Sequence, residues 1–93
     1  MNYKVRDGVH LVKICDAFLL IPDYSASDFC KGIQSLNFIE LIVWKQIEKG
    51  KTREEIIGII SALFFQDKNI AENKLIEIIK KLSDRNYLEK EDC

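Results

Sequence analysis

The side chains able to do covalent or metal chemistry in this chain are few and scattered. Cysteines stand at 15, 30 and 93, and the single histidine is His10. A structural zinc site needs about four thiolate or imidazole ligands at recognisable spacing. Three cysteines with no CxxC pair and one histidine do not supply them, so reduced thiols are expected, with neither metal nor disulfide. Cys30 stands next to the expected edge strand, and nothing nearby is read as activating its thiol as a nucleophile. The adjacent carboxylates Glu54 and Glu55 suit the start of a helix and its dipole better than paired acid–base work. No catalytic residue and no cofactor are therefore assigned, and the chain is read as a binding protein rather than an enzyme. His10, on a β-prone run, is read as a surface or half-buried residue.

What remains for function is backbone and apolar surface. Ninety-three residues make one domain, 1–93, with its core at about 9–88 and a charged tail at 89–93. A chain of this size buries only about 60–65% of its unfolded surface, so its core must be rich in apolar residues. A hydrophobic content of 47% meets that need. The net charge of −1 argues against a sequence-independent grip on nucleic acid, which calls for a basic surface. No apolar run approaches the roughly 18 residues of a membrane span, and MNYKVRDGVH has no apolar signal region. The expected location is the cytoplasm, with no membrane partner.

The elements follow from pattern and caps. VHLVKI (9–14) and AFLLIP (17–22) read as two strands joined at Cys15 and Asp16, and Pro22 ends the second because it cannot donate a ladder hydrogen bond. DYSASD (23–28) is turn-like. FCKGIQSL (29–36) reads as a third strand, interrupted by Gly32. The character then changes. Asn37 with Glu40 three residues on forms a capping box, and Phe38, Ile39, Leu41, Ile42, Val43, Trp44 and Ile47 cover most of a helix, which predicts a central, buried element anchored by Trp44. Gly50 has the place of a left-handed helix stop. Thr52 and Glu55 form a second box, opening a helix whose inward stripe is Ile56, Ile60, Leu63 and Phe64. After a polar break at 66–69, a third helix is expected at about 70–85. Leu75, Ile79 and Leu82 form its stripe with Ile78 beside it, whereas Ile76 lies about 100° from Leu75 and is not explained by the core. The fold class is α+β, a small winged-helix-like domain with a three-stranded antiparallel N-terminal sheet followed by three helices.

Leu36-Asn37, Val43-Trp44, Ile47, Gly50, Thr52, Glu54-Glu55 and Ile56, directly after a β-rich third of the chain, together resemble the PqqD-like family. These are recognition domains for the leader segments of ribosomally made, post-translationally modified peptides. Leu82 to Leu88 also fits, while Gln34 stands where the family often has an aromatic. The resemblance implies that a precursor leader peptide adds as a strand to the sheet edge, in the cleft between the third strand and the third helix. Lys31, Gly32, Ile33, Gln34 and Ser35 would supply the ladder, with Gly32 allowing close backbone approach. From the helix, Leu75, Ile76, Ile78, Ile79, Lys80, Leu82 and Ser83 would line the cleft. Its two flanks, Ile76/Ile79/Lys80/Ser83 and Lys74/Ile78/Lys81/Arg85, both remain open as the peptide side. Separate maturation enzymes are implied as partners: a leader peptidase, a cyclase or a radical-SAM maturase. Two other readings compete. One is a winged-helix DNA-binding regulator, suggested by the turn-linked helices and KKLSDR. The other is a dimerisation or adaptor module, in which the sheet edge pairs with a second copy or exchanges a segment.

Overall fold

The computed structural model describes residues 3–30 and 32–90, so Lys31 and Cys93 lie outside the described residues. Eight elements follow in order: β1 (Tyr3–Val5), β2 (Val9–Ile14), β3 (Ala17–Pro22), β4 (Gln34–Leu36), α1 (Phe38–Glu48), α2 (Arg53–Phe64), α3 (Lys68–Asp84) and β5 (Leu88–Lys90). A run of strands followed by a run of helices makes a small α+β fold. Its extents are 39 × 38 × 20 Å, and the short dimension matches two layers, each about 10 Å thick.

The strands form two sheets where one was expected. Strands β2, β3 and β4 make the anticipated three-stranded antiparallel sheet, with Val9 opposite Pro22 and Phe18 opposite Leu36. A second, two-stranded ribbon pairs β1 with β5, Val5 opposite Leu88 and Tyr3 opposite Lys90. Three-residue strands are too short to show a period, and their partners lie at opposite ends of the sequence, so neither announces itself locally. Glu89 and Lys90, read as part of a charged tail, belong to this ribbon. Glu89 is tied to Arg6 at 3.2 Å and to Lys4 at 3.7 Å.

The third strand is also shorter than the run at 29–36. Phe29 and Cys30 lie in the preceding turn, and Gly32 has φ +78°, a left-handed conformation that breaks extended pairing before Gln34. Both capping boxes form. In the first, Asn37 Oδ1 accepts from the Glu40 N–H and Glu40 Oε1 from the Asn37 N–H, each at 2.9 Å. In the second, Thr52 and Glu55 exchange the same bonds at 3.2 and 3.0 Å. Gly50 takes φ +75° between α1 and α2; an added Cβ would meet nothing within 4 Å there, so the demand for glycine is conformational rather than steric. Helix α3 starts at Lys68 behind the cap Asp67, two residues before the expected start, because Lys68 and Asn69 add no apolar period.

The core joins both layers. Leu20, Val43, Trp44, Ile56, Ile60, Leu75, Leu82 and Tyr87 are all fully buried. Leu63 departs from the expected stripe of α2: it is 52% exposed, while Ile57 is buried. At 100° per residue the stripe is centred among Ile56, Ile57, Ile60 and Phe64, which leaves Leu63 about 75° off its middle.

Candidate functional site

The order β2-β3-β4 leaves β4 with a neighbour on one side only, so its other side is an open edge among the described residues. Along it Gln34 and Leu36 point inward and are buried, while Ser35 is exposed, the two-residue alternation of a strand. Gln34 does not act as a solvated polar residue. It is 9% exposed, and its Nε2 donates to the Ser35 carbonyl at 2.9 Å. Of the five residues expected to form the ladder, Gln34 and Ser35 lie in the strand. Gly32 and Ile33 lead into it, with Ile33 exposed.

Helix α3 buries Ala71, Leu75, Ile78 and Leu82 and turns its two flanks to two different hollows. Ile78 and its neighbours Lys74, Glu77 and Lys81 face Asn37, Ile39 and Glu40, the residues that follow β4, across a hollow of about 140 Å³. A cavity of that order accepts a group the size of a benzene ring. The other flank, Ile76, Ile79, Lys80 and Ser83, lines a larger hollow of about 660 Å³ with Leu75 at its base. That hollow is closed by the first turn of α2 (Thr52, Arg53, Glu54) and by Tyr3 of β1. The residues expected to line one cleft are thus divided: Ile78 faces the β4 side, Ile76, Ile79, Lys80 and Ser83 face away from it, and Leu82 is core. The smaller hollow also holds Asn37, Ile39, Glu40 and Glu77, which sequence reasoning did not assign to a site. Glu40 carried a signal, but one fully accounted for by its cap.

Charge organises the smaller hollow. Glu40 is buried, spends one oxygen on the cap and receives Lys81 Nζ on the other at 2.8 Å, while Lys81 itself stays half exposed. This pair joins the start of α1 to α3. Among the described residues Lys74 forms no ion pair, and it lines the same hollow. The hollow is therefore mixed, with Lys74, Lys81, Glu40 and Glu77 around the apolar Ile39 and Ile78.

Cys30 is buried and its thiol donates to the Asn86 carbonyl at 3.3 Å; burial pushes the thiol pKa up and so disfavours the nucleophilic thiolate, an effect the Arg6 charge partly offsets. Cys15 is an exposed free thiol in the β2–β3 turn. His10 pairs with Asp23 at 3.1 Å on the exposed side of the sheet. Among the described residues no cluster of three or more metal-ligating side chains occurs, and no helix is long and apolar enough to cross a membrane.

No family model matches the chain, and no curated protein matches it. Solved structures do. One is TbiB1 in complex with the TbiA(beta) leader peptide: its TM-score is 0.78 at 24% identity, covering 97% of this chain and 99% of that one. Another is a lasso peptide synthetase B1 complexed with the leader peptide, with a TM-score of 0.79 at 10% identity, covering 96% and 99%. The chain shares the fold of these two proteins over nearly its whole length, at identities where the likeness is one of fold.

Proposed function

We propose that the protein is a non-catalytic recognition domain that binds the leader segment of a ribosomally synthesised precursor peptide and presents it to separate maturation enzymes. The observation that carries this reading is the open edge of β4, whose following residues share a hollow with α3, within a fold shared over nearly its whole length with two proteins solved in complex with leader peptides. The physics suits the task. An edge strand offers unpaired N–H and C=O groups that an extended peptide satisfies regardless of its side chains, and adjacent pockets then supply specificity.

On this reading the leader adds as a fourth strand outside Gln34–Leu36, with Gly32 and Ile33 flanking its path. One apolar side chain enters the hollow at Ile78, and an acidic neighbour meets Lys74. The chain from 1 to 93 then works as one winged-helix-like recognition unit in the cytoplasm, where precursors are made. Its enzymes, a leader peptidase, a cyclase or a radical-SAM maturase, act in trans. Self-pairing through the same edge would compete with the leader for the same groups. The DNA-regulator reading is weaker physically, because the outer side of α3 mixes Glu72, Glu77 and Asp84 with Lys74, Lys80 and Lys81 and the chain carries net charge −1.

An amide NMR titration with two ligands tests the proposal: the synthetic leader of the precursor encoded beside this gene, and a short duplex DNA. Shifts with the peptide alone, centred on residues 32–36 and the Lys74/Ile78/Lys81 flank, are expected. Shifts with DNA and none with the peptide would sink it.

A further inference from the structure

The chain just before β4 is fastened to the turn just after α3. Asn86 Nδ2 donates to the Phe29 carbonyl at 2.8 Å, and the Cys30 thiol donates to the Asn86 carbonyl. The Tyr87 hydroxyl donates to the Gly32 carbonyl. These partners are 55 to 57 positions apart in sequence, so the bonds tie together two elements that no local contact relates. The turn itself is held from behind: Arg6 Nε donates to the Asn86 carbonyl at 2.7 Å, the Arg6 N–H donates to the Tyr87 carbonyl at 3.0 Å, and the Arg6 guanidinium lies 4.8 Å over the Phe29 ring. Asn86 takes φ +66°, a left-handed conformation that asparagine tolerates better than most residues. Tyr87 is fully buried, so its hydroxyl is a fixed donor rather than a solvated one.

A second fastening, Glu40 to Lys81, ties α3 to the chain just after β4. The three residues Gln34–Leu36 therefore lie between two points at which the chain is anchored to α3 or its C-terminal turn. Resting on the leader-binding reading, we infer that Tyr87 and Asn86 are positioning residues for that site. They hold Phe29, Cys30 and Gly32 against the end of α3, so that the β4 edge and the helix flank keep the separation an incoming strand requires before it arrives. Binding to a site already in shape loses less free energy to ordering than binding to a mobile edge.

The test compares the wild type with Tyr87→Phe, which keeps the buried ring and removes only the donor, and with Asn86→Gly, which keeps the left-handed turn and removes only the side-chain amide. Each is titrated with the fluorescein-labelled synthetic leader at a temperature where all three proteins are fully folded, and amide hydrogen exchange is followed on the free proteins. Loss of one hydrogen bond that organises the site should weaken leader affinity about five- to tenfold. Exchange should quicken at residues 33–36 while α1 stays protected. Wild-type affinity in both variants overturns the inference. So does exchange that quickens in α1 as much as at β4, which would mark a general loss of stability. Failure of the wild type to bind is read before any variant and overturns the recognition reading itself.

Discussion

Asp23 shows how one residue can organise a turn without belonging to the site. Its carboxylate accepts from the Ser25 hydroxyl at 2.6 Å, from the Ser25 N–H at 2.9 Å and from the Ala26 N–H at 3.3 Å, and it meets His10 Nε2 at 3.1 Å. The Ser25 hydroxyl first, then His10, lower its pKa from 3.8 to about 2. A folded-state pKa below the unfolded one means that the charged form favours folding. The contribution is fully present above about pH 4 and is lost as the pH falls through about 2. The melting temperature of Asp23→Asn should accordingly lie below that of the wild type at neutral pH, and the two should converge between pH 4 and pH 2. Paired thermal melts across that range check this, and a gap that persists to pH 2 would mean the ionised form contributes nothing. Glu40 is the contrasting case: read as a cap, it is also the buried half of an ion pair reaching α3.

At the scale of elements, α3 is decisive because it has two usable flanks. Its buried stripe fixes which residues face inward, but which remaining flank sees the sheet edge depends on how α1 and α2 pack around it. Lys74 rims the hollow next to the residues after β4, and Lys80 rims the hollow next to α2 and β1. Charge reversal separates them. Lys74→Glu should weaken binding of an acidic leader about fivefold, with the difference shrinking at high salt, whereas Lys80→Glu should change it less than twofold. Fluorescence anisotropy at two salt concentrations measures both. The reverse ranking would assign the peptide to the larger hollow.

For the whole molecule, the β1–β5 ribbon matters out of proportion to its six residues. It brings the two ends of the described chain together and holds the Asn86–Tyr87 turn in place through Arg6 and Leu88, the latter only 4% exposed. Leu88→Ala should cost about 2–4 kcal/mol, as for other buried leucines. That is a large share of the roughly 5–10 kcal/mol available to a domain of this size. Urea denaturation should show the midpoint falling with little change in slope, and a cost below about 1 kcal/mol would mean the ribbon is not integral to the fold.

Local chemistry was legible in the sequence wherever a cause acts within one turn of the chain. Both capping boxes, the glycine stop at Gly50, the β2–β3 hairpin and the buried faces around Trp44, Leu75 and Leu82 follow from propensity and period alone, because a cap or a stripe is decided by residues three or four apart. The edge at β4 was legible too, though its length was not, since the left-handed backbone at Gly32 and its bond from Tyr87 join chain segments 55 positions apart. Only the tertiary structure decided the rest. The second sheet, the Glu40–Lys81 pair, the bonds from Asn86 and Tyr87, and the allocation of the two α3 flanks to separate hollows all join residues 40 or more positions apart or depend on which helices pack together. Such pairings leave no period in the sequence, because each partner is chosen by the shape of the folded chain rather than by its neighbours.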